Sequence, residues 1–340
     1  MKRYGWYLFF AIVLVVAISA NTNGNKEPEE KKEVFTPCVM EQHDTIYLYE
    51  GESVAFSYGG KSEDGKIANI IGNRLFGLGN GKTRIIIDEC NHYDVVVSNL
   101  YIKPAVNNDK PFLTCGIYSV EDNLLLDEIM ASKIEKAGYH TRAGVVEAAR
   151  FLTLSLPYRL NYYYENGRLS SNYKIDGEGR YYHTGLYLSE AKYDEISKHT
   201  NGPACWGCKL LESGGYYAPN GLDCSGFVSW ALLNGGYDCG DIGAGPTEVL
   251  DFTDLGEKKF LRNVDIEEIK VGDLIGFNGH IGIIIGDDGE NIYVAEDYWF
   301  GDLNVEAYSY ADILSGKEWF YVMLMDSYYG EDGNLTDYWG

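Results

Sequence analysis

Basic residues are scarce in this sequence. Lys and Arg number 28 against 51 Asp and Glu, for a formal net charge of −23. Binding nucleic acid needs clustered cations that displace condensed counterions, so no nucleic-acid partner is expected. An anionic lipid surface is disfavoured as a docking site for the same reason. Long apolar runs are lacking beyond the first residues, where Lys2 and Arg3 precede an uncharged stretch at 6–20. That stretch falls short of the ~20 residues a spanning helix needs. Segment 1–20 therefore reads as a signal peptide, with an uncleaved membrane anchor as the alternative. Either places the rest of the chain at the cell surface or outside the cell. With no cysteine in the cleavage region, a lipid anchor there is not expected.

Metal-binding patterns are thin as well. Cys205 and Cys208 make a lone C-x-x-C with no second pair, so no metal site is expected. There are seven cysteines, an odd count that leaves at least one unpaired thiol in an exported chain. If Cys224 is that thiol, six remain to pair, and the sequence does not choose among their pairings. Histidine is rare, with six in all, so any histidine in a structured setting stands out.

Residues 21–36 carry Asn, Gly, Pro and a Glu/Lys run and read as a linker. From 37 to 112 the texture is β. Ile46 to Tyr49 alternate before Gly51, and further short apolar runs follow at 85–87 and 95–97 after Gly-rich turns, which predicts a small sandwich. Helices are expected after Cys115, one capped by Ser119 and Asp122, another carrying Val145, Val146, Ala149 and Leu152 and ending before Pro157. Residues 159–220 are rich in Gly and Tyr and read as a long insertion framing a cleft.

The sharpest signal is Gly221-Leu222-Asp223-Cys224-Ser225-Gly226-Phe227-Val228. Cys224 stands where a polar turn meets a stretch that is apolar on all sides and stops at Gly235-Gly236, so it falls at the N-terminus of a buried helix. Helix-end N–H groups favour a thiolate there and offer donors to an oxyanion. A base is available in Asp273–Phe277, Asn278-Gly279, then His280–Gly286, which reads as strand, tight turn, strand. His280 shares a face with Gly282 and Gly286, leaving room for the cysteine helix to approach. A three-residue loop at 287–289 sets His280 opposite Glu296, whose carboxylate would orient the imidazole; a two-residue turn would substitute Asp297.

Two resemblances follow from these residues. Tyr47-Leu48-Tyr49-Glu50-Gly51-Glu52-Ser53, Gly81 to Ile86 and Asp94 to Val97 resemble bacterial Ig-like repeats, which implies a spacer or adhesive module. Asp223-Cys224-Ser225-Gly226-Phe227-Val228, Val271-Gly272-Asp273-Leu274-Ile275 and His280-Ile281-Gly282-Ile283 resemble the NlpC-type papain-like cell-wall cysteine peptidases. The implied fold is an N-terminal all-β Ig-like sandwich followed by a C-terminal α+β papain-like domain at 113–330, helices packed on an antiparallel sheet. The implied activity is cleavage of amide bonds in peptidoglycan stem peptides, without a cofactor. Pro157-Tyr158 matches the family's upstream pair, which implies a phenol near the nucleophile, and Asp223 and Ser225 are implied to hold the substrate's amino end. Two features depart from the family: the 159–223 interval is far longer than usual, and Glu296 replaces the common third histidine. On this reading Cys224 and His280 form a thiolate–imidazolium pair. An N-acetylmuramoyl-L-alanine amidase or acyltransferase of the same fold, and a non-catalytic wall-binding protein, are the alternatives.

Overall fold

The computed structural model describes residues 43–99, 120–156, 158–162, 209–213, 216–219, 221–237, 239, 242, 255–299 and 302–339. The expected signal segment, the linker, Pro157 and most of the insertion lie outside the described residues. Among the described residues no helix is long and apolar enough to cross a membrane.

Seven short strands come first: β1 (Ile46–Tyr49), β2 (Ser53–Ala55), β3 (Lys61–Ser62), β4 (Ala68–Ile71), β5 (Arg74–Gly77), β6 (Gly81–Ile86) and β7 (His92–Ser98). They form a four-stranded sheet, β1-β7-β6-β3, and a three-stranded sheet, β2-β5-β4. Side chains alternate across each strand, so Leu48, Leu75, Ile85, Val95 and Val97 point into one dry core. Glu50 is buried at the end of this module, where it accepts from Ser155 Oγ at 3.0 Å and pairs with Lys133. The backbone approaches equally closely: a Cβ on Gly51 would lie 2.3 Å from the Leu154 carbonyl oxygen, and φ is +84° there. Only glycine satisfies both constraints.

The helices that receive the module are α1 (Val120–Ala137) and α2 (Arg142–Arg150). Thr141 caps α2 by accepting from Gly144 N–H. A single π turn, Phe151–Ser155, continues α2 to the point where Gly51 abuts. Next come β8 (Asn161–Tyr162), β9 (Lys209–Ser213), β10 (Tyr216–Pro219) and β11 (Gly221–Leu222), then α3 (Cys224–Asn234). β8 and β11 pair in parallel, so the long insertion leaves and rejoins the body at one place, two residues before Cys224.

The remaining strands, β12 (Glu257–Phe260), β13 (Leu274–Phe277), β14 (His280–Asp287), β15 (Asn291–Tyr298), β16 (Asp302–Ser309) and β17 (Tyr321–Leu324), make one antiparallel sheet in the order β12-β17-β13-β14-β15-β16. Short helices α4 (Tyr310–Ser315) and α5 (Asp326–Tyr329) flank β17. α3 packs on one face of the sheet, where Phe227, Trp230 and Leu232 meet Ile281, Ile283, Ile285 and Ala295. Burying each of those large apolar side chains contributes about 1.5–3 kcal/mol. The opposite face carries a second core of Ile275, Ile284, Val294, Trp319 and Val322.

Two expectations need correction. Residues beyond 330 belong to this body: Trp339 stacks on Tyr293 at 4.7 Å, and Arg150 Nη1 donates to the Thr336 carbonyl at 2.7 Å. Gly282 and Gly286 do not seat the cysteine helix, since their open sides are taken by Val294 and Trp319 and by Trp339 respectively. Cys90 is disulfide-bonded, and Cys224 is a free, buried thiol.

Candidate active site

Asp223 and Cys224 open α3. The Asp223 carboxylate accepts from Gly226 N–H at 2.7 Å and from Ser225 Oγ at 3.3 Å. Both residues proposed for the substrate's amino end are therefore buried and engaged in starting the helix. Cys224 follows in the first helical position, 6% exposed. Backbone N–H groups of Ser225 and Ile281 donate toward its sulfur, which favours a thiolate. Burial and the carboxyls of Asp223 and Asp297 act the other way and prevail, holding the thiol above its ordinary value. The resting site thus contains a neutral thiol rather than the ion pair expected from the helix end alone.

His280 begins β14 directly after the Asn278-Gly279 turn, opposite Phe277. Its Nε2 lies 2.5 Å from Glu296 Oε2, and both side chains are almost completely buried. Phe277, Tyr298 and Trp319 enclose the ring, with centroids 5.2, 4.8 and 5.4 Å away. Tyr308 Oη donates to the other Glu296 oxygen at 3.3 Å. A held Nε2 leaves Nδ1 as the nitrogen available to take a proton.

Register explains how the pair meets, and it differs from the expected one. Asp287 faces Ile292 across a four-residue loop rather than a three-residue one, and a bulge at Ile285 shifts the ladder once more. Gly282 therefore opposes Glu296, and His280 reaches it on the diagonal rather than directly. The bulge decides which acid is used. Without it, the hairpin would set Asp297 on the imidazole's face. Instead, Asp297 points to the α3 side, fully buried, with neither carboxyl oxygen hydrogen-bonded. Burial and the negative charges of Asp223, Asp302 and Glu296 hold it well above the carboxylate range.

Cys224 and His280 approach β14 from its two sides. The sulfur meets the N–H of Ile281, the residue after His280, whereas alternation along the strand directs the imidazole toward the Trp319 core. Among the described residues no hydrogen bond joins thiol to imidazole. The Tyr158 ring lies 5.3 Å from Phe76 of the N-terminal module, Arg74 is the cation that acts on it, and it shares the core cluster that holds Cys224. The phenol that the Cys224 charge does act on is Tyr321, from β17. Nothing in the local pattern Tyr-Val-Met-Leu marks that residue, because its place follows from β17 inserting beside β13. Among the described residues no group of His, Cys, Asp or Glu could hold a metal ion. No protein-family model matches the chain, and no curated protein matches it.

Proposed function

We propose that this chain is an exported cysteine hydrolase that cuts amide bonds in peptidoglycan stem peptides, in the manner of the NlpC-type papain-like peptidases its motifs resemble. One observation carries the reading: a buried imidazole, fixed through Nε2 by Glu296, stands one residue before the N–H that meets the Cys224 sulfur. The two side chains stand on opposite sides of β14 at rest, so this mechanism requires the His280 ring to turn toward the α3 side, where Nδ1 takes the thiol proton as the sulfur attacks the carbonyl carbon. The amine then leaves with that proton, and water, activated by His280, hydrolyses the thioester. Glu296 holds the ring in the required tautomer. Asp297 stays the reserve for that role only if the β14–β15 register shifts. The N-terminal module serves as an Ig-like spacer.

The test is digestion of purified sacculi with the wild type and with Cys224→Ala, followed by mass spectrometry of the soluble products. Stem-peptide fragments are expected from the wild type alone, and release of whole stem peptides would assign an amidase instead. Unchanged cleavage by the alanine variant would falsify the reading. A non-catalytic wall-binding protein is the second reading, favoured by the buried thiol and the carboxyls that hold it up. It predicts sacculus binding without product.

A further inference from the structure

We propose that Tyr321 is a further catalytic residue, its phenol O–H donating to the oxyanion formed when Cys224 attacks the substrate carbonyl. The inference rests on the hydrolase reading and adds a residue to it. Tyr321 opposes Gly276 on β13, and Gly276 opposes Ile281 on β14. Directly opposed residues share a face, so all three form a row on the α3 side of the sheet, the row whose Ile281 N–H meets the Cys224 sulfur.

Gly276 leaves a notch in this row. A Cβ there would lie 2.5 Å from Tyr321 Oη, 2.7 Å from its Cζ and 2.8 Å from the His280 carbonyl oxygen. The phenol thus leans across Gly276 toward the strand that carries His280, and any side chain at 276 would evict it. Its hydroxyl has no hydrogen-bond partner among the described residues. That sets it apart from Tyr237, Tyr293, Tyr308 and Tyr329, whose buried hydroxyls each donate to a carbonyl or carboxylate. An unspent donor in the row that meets the nucleophile is what an oxyanion site requires. Lys258 Nζ lies 4.1 Å from the ring centroid, placing a cation on the face of that donor. Burial and the Cys224 charge push the phenol up to about 12, so it keeps its proton and acts by donation.

The electron balance is simple. The sulfur forms a bond to the carbonyl carbon, the π pair moves to oxygen, and the thiol proton passes to His280. Tyr321 donates a hydrogen bond to that oxygen without giving up its proton. When the C–N bond breaks, the pair returns from oxygen and the phenol is unchanged.

Tyr321→Phe removes only the donor. In full-length protein, kcat for muropeptide cleavage is expected to fall roughly 10²–10³-fold, with KM little changed. Alkylation of Cys224 by iodoacetamide involves no oxyanion and is expected to proceed at the wild-type rate, with an unchanged thermal midpoint. A probe independent of the natural substrate is N-acetyl-alaninal, which forms a hemithioacetal at Cys224 and protects it from iodoacetamide. Protection is expected to need at least about 10-fold more aldehyde in the phenylalanine variant, the scale of one lost donor. Equal protection of both proteins, or of neither, overturns the assignment, as does a fall in the alkylation rate that matches the fall in kcat. Retained cleavage by Cys224→Ala would instead remove the hydrolase reading while leaving the aldehyde comparison to judge Tyr321.

Discussion

Glu296 and Asp297 are neighbours on β15 with opposite environments: the first bonds His280 on one side of the sheet, the second is buried without a partner on the side of Cys224. Two adjacent acids facing opposite ways are a direct consequence of strand alternation. What differs is compensation. Glu296 receives the imidazole and Tyr308, while Asp297 receives only the negative charge of its surroundings.

Asp297 is expected to lower stability at neutral pH. Its folded value is raised, so below the ordinary value of 3.8 both folded and unfolded chains hold the proton and the residue contributes nothing adverse. As pH climbs above that value the unfolded chain releases its proton and the folded one does not. Stability then falls, by at most about 1.4 kcal/mol per pH unit. Asp297→Asn cannot ionise and is expected to be more stable than wild type at pH 7 and equal to it near pH 3.5. Urea midpoints at the two pH values measure this; an advantage of the same size at both would sink the argument.

Glu296→Gln keeps the volume and removes the charge that fixes the His280 tautomer. Cleavage is expected to drop by about 10⁴-fold in kcat, the scale seen when an orienting carboxylate is neutralised in a catalytic triad. KM should hardly move, since Glu296 faces a core rather than the α3 side. Steady-state kinetics on a purified muropeptide would decide, and a kcat within twofold of wild type would remove Glu296 from the mechanism.

The local grammar of the site was legible in the sequence, and its long-range packing was not. A helix start at Cys224 and a stop at Gly235 bracket α3, because helix initiation and termination depend on near neighbours; that Asp223 supplies the cap is shown by the structure. The strand–turn–strand at 274–287 follows from Asn278-Gly279 between apolar runs. Register depends on packing that no local pattern encodes. The bulge at Ile285 has no signature in a run of three isoleucines, yet it determines which acid meets His280. The glycines at 282 and 286 suggest space for the helix, whereas two tryptophans from distant segments fill it. Tyr321 is illegible for a similar reason: strand order alone brings it into the row of Gly276 and Ile281.

Cys224 should behave as a slow thiol until substrate arrives. Burial first, then the Asp223 charge, holds it above its ordinary value, so little thiolate exists at pH 7. Iodoacetamide alkylation is expected to be at least about 10-fold slower than for a free cysteine and still rising at pH 9, as a raised thiol requires. Stopped alkylation followed by mass spectrometry gives the profile. A plateau reached below pH 8 would mean that the thiolate–imidazolium pair exists at rest after all.

Arg142 is the residue whose loss should damage the body most. Its guanidinium is 4% exposed and reaches Asp273 Oδ1 at 2.8 Å, the Val271 carbonyl at 3.1 Å and Asp332 Oδ1 at 3.2 Å, with a further bond to Asp326. It also lies 4.9 Å from the Tyr329 ring centroid. One side chain thus ties the start of α2 to the entry of β13, to α5 and to the C-terminal segment. Asp273 is the partner that matters energetically: it is 1% exposed, and removing the cation leaves its charge buried without compensation. Arg142→Ala is expected to cost about 3–5 kcal/mol, a fall in thermal midpoint of roughly 6–20 °C. Asp332→Ala, which cuts the exposed end of the same network, is expected to cost no more than about 1 kcal/mol. Differential scanning calorimetry of both variants separates the two contributions, and equal midpoints would show that the buried Arg142–Asp273 pair does not dominate.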